Sequence, residues 1–85
     1  MSDPNVIAMI PKNNRETIRV ALDEYRGANF VDIRIMVAAD RPGAEPMFTK
    51  KGVAVGFKRI PELIRALQLA LDEAARRGLL PKEAA

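Results

Sequence analysis

Alternation dominates the first part of this chain. In residues 16–25, Ile18, Val20 and Leu22 fall on one side of an extended backbone, and Thr17, Arg19, Ala21 and Asp23 fall on the other. That is the period-two signature of a half-buried strand. Residues 30–38 repeat it, with Val31, Ile33, Ile35 and Val37 set against Asp32, Arg34 and Met36. Residues 47–55 read as the last strand, and Gly52 inside it predicts a bulge or the close approach of another backbone. The apolar run Val6-Ile7-Ala8-Met9-Ile10, stopped by Pro11, fits a first, edge strand over residues 5–10. From Arg59 onward the period changes: Ile60, Leu63, Ile64, Leu67, Leu71 and Ala74 follow spacings of three and four and line one stripe of a helix.

The breaks between these segments are equally legible. Lys12-Asn13-Asn14-Arg15 is a polar turn, Arg26-Gly27-Ala28-Asn29 a short turn, and residues 40–46, with Pro42, Gly43 and Pro46, a longer hairpin loop. Pro61 suits the first helical turn, where its missing N–H is not needed. Asp72 with Arg76 and Glu73 with Arg77 form acid-before-base pairs at i,i+4. Gly78 is placed to cap the helix, with Pro81 just beyond. Leu69 falls opposite the stripe, as a stray exposed leucine or a contact with a second subunit. The order strand, strand, strand, strand, helix predicts an α+β fold: a curved four-stranded antiparallel sheet followed by one C-terminal amphipathic helix. The helix is expected to cover the face built by Ile18, Val20, Leu22, Val31, Ile33, Ile35, Val53 and Val55, leaving the other face open.

Eighty-five residues bound this to a single domain over 1–85, with loose ends expected at 1–4 and 81–85. A chain this short buries little surface, and without cysteine it has no disulfide to staple it. Oligomerisation is the remaining route to stability, so a homodimer is expected. Having neither cysteine nor histidine removes the usual zinc sites, and no metal or cofactor is expected. The net charge of +3 and pI near 9.7 permit an anionic partner. No run reaches the length of a membrane span and no secretory pattern opens the chain, so no membrane partner is expected and the cytoplasm is the default location.

Catalysis is poorly served by this inventory, since the usual acid–base and thiol groups are missing. Asp23, Glu24 and Asp32 have the spacing that any solvated strand face gives, and pairing of Asp32 with Arg19 or a lysine across strands is its expected role. The open face is more informative. Arg19, Arg34 and Lys50 project there, and Lys51 joins them if Gly52 bulges the strand. Lys12 and Arg15 lie in the turn before the second strand, and Arg26 in the next turn. Tyr25, Phe30 and Phe48 share the parity of this face. Cations suit a phosphate chain and rings suit unpaired bases. The plainer alternative is that the cations keep the face soluble and the edges unpaired.

Several motifs carry a family resemblance. Leu22-Asp23-Glu24-Tyr25-Arg26-Gly27, then Val31-Asp32-Ile33-Arg34, then Thr49-Lys50-Lys51-Gly52-Val53-Ala54-Val55, then an amphipathic helix, together resemble the C-terminal domain of the transcriptional positive cofactor four coactivators and their bacterial relatives. The likeness runs from about Ile7 to Leu80. It implies a four-stranded antiparallel sheet and a helix, dimerising through the helix and neighbouring strand elements. It also implies binding of single-stranded DNA, or locally opened duplex, on the sheet face away from the helices. By position Lys50 and Lys51 match the family's lysine–glycine motif, Arg34 its Asp-Ile-Arg strand, and Arg26 the basic residue before the turn glycine. Two features depart from the pattern. Met36 and Val37 stand where the third strand would end in an aromatic pair, a loss that Phe48 across the hairpin offsets if its ring serves instead. Leu63 or Ile64 occupies the region of the helix's tryptophan.

The functional expectation is therefore a non-enzymatic, homodimeric protein that binds single-stranded DNA or RNA in transcription. Lys12, Arg15, Arg19, Arg26, Arg34, Phe48, Lys50 and Lys51 are its candidate binding residues. The rival expectation is a protein-interaction module that docks a component of the transcription machinery through the open face or the loop around Pro42. The expected location is the bacterial cytoplasm and its nucleoid, or the nucleus in a eukaryote.

Overall fold

The computed structural model of the protein describes residues 4–80. Val6–Pro11 forms β1, Glu16–Tyr25 β2, Ala28–Val37 β3 and Met47–Gly56 β4; one 3-10 turn, Phe57–Arg59, leads into helix α1, Ile60–Arg76. The strands pair antiparallel in the order β1-β2-β3-β4. This is the predicted architecture. The ends expected to be loose at 1–4 and 81–85, and Pro81 with them, lie outside the described residues, except for Pro4.

The β2–β3 hairpin is the spine of the sheet. Its register runs unbroken from Glu16 opposite Val37 to Tyr25 opposite Ala28. Only Arg26 and Gly27 remain for the turn, with φ of 51° and 82°. Two consecutive left-handed residues make a type I′ turn, whose twist matches that of the flanking strands. The expected four-residue turn is thus two residues shorter, because this geometry lets Ala28 and Asn29 stay in the ladder.

Registers place Ile18, Val20 and Leu22 of β2, Val31, Ile33 and Ile35 of β3, and Val53 and Val55 of β4 on one face. Arg19, Ala21, Asp32, Arg34, Met36, Phe48, Gly52 and Ala54 lie on the other. Ladder irregularities between Val6 and Ala8 in β1, and opposite Ile35 in β4, bend the sheet. Ala21, Asp32 and Met36 on the polar face and Val31 on the aliphatic face are buried, whereas Leu22 and Val53 on the aliphatic face are exposed.

The helix corrects one expectation. It ends as predicted, in a Schellman motif: Gly78 has φ of 71°, its N–H donates to Ala75 O (3.0 Å), and the Leu79 N–H donates to Ala74 O (2.9 Å). On its surface Glu73 pairs with Arg77 as expected, but Arg76 also turns to Glu73, leaving Asp72 to accept from Gln68. The helix does not, however, cover the sheet of its own chain. Its close neighbour is the preceding 3-10 turn, and it contains no buried residue. Ile64 and Leu67 on its stripe are each 62% exposed. The radius of gyration is 15.3 Å, against about 12 Å for a compact chain of this length. Periodicity shows that the stripe is made for burial, not that its own sheet is what buries it.

Candidate nucleic-acid interface

The centre of the polar face is built where β2 and β3 bring Arg19 and Arg34 directly opposite each other. Asp32, two residues before Arg34 on the same side, reaches both. Its Oδ1 accepts from Arg34 Nη2 at 3.2 Å, and its Oδ2 lies 3.6 Å from Arg19 Nη1. The pairing of Asp32 with Arg19 is the one read from the sequence; the added bond to Arg34 makes it a triad. Burial is substantial: Asp32 is only 8% exposed, and the Arg19 side chain 16%. Arg34 is anchored a second time, its Nη1 donating to the Thr49 carbonyl at 3.2 Å. Arg19 stands over the Phe48 ring, 5.2 Å from its centroid, in cation–π contact. Phe48 is itself 63% exposed, so the ring keeps much of its surface open.

Gly52 lets Arg34 lie this way. A Cβ there would meet Ile33 O at 2.6 Å and Arg34 Cα at 3.2 Å, and would stand 3.5 Å from Arg34 Nε. Both parts of the sequence expectation hold, since Gly52 borders a bulge and is closely approached by another backbone. Arg34 Nε is the one buried side-chain polar atom without a partner among the described residues.

The bulge displays the lysines. Arg34 pairs with Gly52 and Met36 with Phe48, so Ile35 faces three residues: Thr49, Lys50 and Lys51. Thr49 holds the gap closed. Its Oγ1 donates to Ile35 O at 2.7 Å and accepts from the Lys51 N–H at 3.1 Å, replacing ladder bonds with one hydroxyl. Sequence reasoning missed this role; a threonine two residues from a strand lysine followed by glycine was its only signal. Counted from Phe48 or from Gly52, Lys50 falls on the polar side and Lys51 on the opposite side. Lys51 Nζ accordingly lies 3.9 Å from Glu16 Oε2, on the apolar-face parity of β2. The bulge exists, but it does not bring Lys51 to the centre.

The remaining candidates sit at the two ends of β2, which are about 30 Å apart for ten residues at ~3.3 Å each. At one end Lys12 pairs with Glu16 at 3.1 Å, and Arg15 lies 3.5 Å from Asp40 and donates to Ala38 O at 3.4 Å. Hydrogen bonds from the Asn13 amide and the Lys12 ammonium hold the Glu16 carboxyl below its ordinary pKa. At the other end the Arg26 guanidinium is 5.2 Å from the Tyr25 ring. Tyr25, Phe30 and Phe48 share the polar-face parity, as the alternation predicts. The structure thus gathers Arg19, Arg34, Phe48 and, by parity, Lys50 on the polar face. It leaves Lys12, Arg15 and Lys51 at one end and Arg26 at the other.

Two crystal structures of a PC4 homolog from Burkholderia pseudomallei match this chain. The tetragonal form is 32% identical with a TM-score of 0.67, over 76% of this chain and 93% of that one. The orthorhombic form is 29% identical with a TM-score of 0.69, over 82% and 95%. No protein-family model and no curated protein matches the sequence. With the fold shared and 32% identity spread over 93% of that homolog, the chain belongs to the PC4 family, the positive cofactor four proteins.

Proposed function

We propose that this protein binds single-stranded DNA, or duplex DNA opened locally, on the polar face of its curved sheet, as a homodimer acting in transcription and without catalysis. One observation carries the reading: the face away from the aliphatic side chains is left uncovered by the chain's own helix, and it presents Lys50 and an exposed Phe48 beside a guanidinium pair. Lysine and arginine neutralise phosphates, and the rings offer stacking surfaces to unpaired bases. Interactions with phosphates and stacking read little sequence, so preference among bases is weak. The remaining basic residues, Lys12, Arg15, Arg26 and Lys51, extend positive charge to the ends of the sheet, where a longer strand would pass.

The dimer is supported by two apolar surfaces that one chain leaves open, the aliphatic sheet face and the stripe of α1. A second copy that covered them would leave two polar faces free. No helix among the described residues is long and apolar enough to cross a membrane.

The test is a fluorescence-anisotropy titration of single-stranded and duplex oligonucleotides at several salt concentrations. The single strand is expected to bind more tightly. Its log K should fall with log salt at a slope of about −3, as for roughly four phosphates neutralised at ~0.7 each. Equal binding of duplex, or no salt dependence, would contradict the proposal.

A further inference from the structure

Asp32 stands where two cations share one carboxylate. Arg19 and Arg34 face each other across β2 and β3, an arrangement that is repulsive on its own. Asp32 reconciles them, at 3.6 Å from one and 3.2 Å from the other, so that two positive charges and one negative leave this centre with a single net charge. Resting on the reading that this face holds nucleic-acid phosphates, we infer that Asp32 is an internal competitor for those phosphates, which sets the affinity of the face below what its cations would otherwise give.

A carboxylate and a phosphate offer the same paired oxygens to a guanidinium. A phosphate that approaches Arg19 or Arg34 therefore meets donors already turned toward an anion, and that anion repels it from a few ångströms away. Asp32 would also act in the other sense, by holding the guanidiniums in place, but each guanidinium has a further anchor. Arg34 keeps a second anchor at the Thr49 carbonyl, and Arg19 keeps its place over the Phe48 ring. Neither needs Asp32 to remain on the face, so competition outweighs positioning. The consequence is a strand held loosely enough to be exchanged, with an affinity governed by one acidic residue in the middle of a basic surface.

The test is Asp32→Asn, assayed by anisotropy with a fluorescein-labelled single-stranded oligothymidylate across a salt series. The variant is expected to bind about threefold to tenfold more tightly at low salt and to show a steeper salt dependence, the gain shrinking as ionic strength rises. A variant with wild-type circular dichroism that binds equally or more weakly would overturn the inference. If Asp32→Asn fails to fold, Arg19→Gln is compared with Arg19→Gln/Asp32→Asn, whose centres carry formal charges of zero and +1. The double variant should bind more tightly; equal or weaker binding would overturn the inference. Loss of the binding reading itself looks different: wild type would show no salt-dependent binding at all, and the inference would fall with it.

Discussion

Replacing Leu67 with aspartate is expected to abolish self-association at micromolar concentration and to melt most of α1. The helix has 17 residues and hardly touches its own sheet. An isolated helix of that length is marginal in water, because nucleation is costly and propagation returns little per residue. Its order must come from burial of the stripe formed by Ile60, Leu63, Ile64, Leu67, Leu71 and Ala74. Leu67 lies near the middle of that stripe and is 62% exposed in the single chain. Covering a leucine contributes about 1.5–3 kcal/mol, and a two-fold interface counts it twice. Aspartate forfeits that gain and adds a charge that the interface would have to desolvate. Sedimentation velocity and far-ultraviolet circular dichroism, run on wild type and variant at the same concentrations, check both halves of the prediction. A wild type that sediments as a monomer with its helix intact would contradict the proposed dimer.

Converting Lys50 and Lys51 together to alanine is expected to weaken binding to a single-stranded oligonucleotide about tenfold or more at low salt, and to flatten the salt dependence by ~0.7 for each phosphate left without its cation. The two lysines should not contribute equally. Lys50 has the parity of Arg34 and Phe48, while Lys51 lies toward Glu16 on the other side. Most of the weakening should therefore appear in Lys50→Ala alone, with Lys51→Ala close to wild type. Titrations of the two single variants and the double, at matched salt, separate these contributions. A Lys51→Ala defect as large as that of Lys50→Ala would show that the bulge does not sort the two side chains as its register implies.

Much of this architecture was legible because alternation is a local property. Ile18, Val20 and Leu22 against Thr17, Arg19 and Ala21 fix which face is oily without any knowledge of the partner strand, and the observed register agrees. Gly78 announced its cap because only a left-handed residue closes that hydrogen-bond pattern cheaply. The features that escaped depend on geometry between segments. The Arg26-Gly27 turn is shorter than its polar composition suggests, because a type I′ turn needs only two residues. Lys51 stays on the aliphatic side because the bulge opposite Ile35 adds two residues to β4, an insertion that preserves the alternation, and a sequence read strand by strand contains no opposing strand to count against. Pairing of Asp32 with Arg19 was expected; its simultaneous hold on Arg34 was not, because spacing shows a shared face but not which groups of that face turn toward each other. The stripe of α1 was plain from its period, yet amphipathicity says how much a helix must bury and nothing about which chain supplies the cover.

Nucleic acid is proposed to lie on one face of the sheet and not on the other, and methyl groups on the two faces distinguish these cases. They are read in carbon–proton correlation spectra of labelled protein titrated with a single-stranded oligonucleotide. Binding to the polar face should shift Ala21, Met36 and Ala54, which flank the Arg19–Asp32–Arg34 centre, and leave Ile18, Val20 and Val55 unmoved. Shifts concentrated on those three aliphatic residues, or spread evenly over both sets, would contradict it.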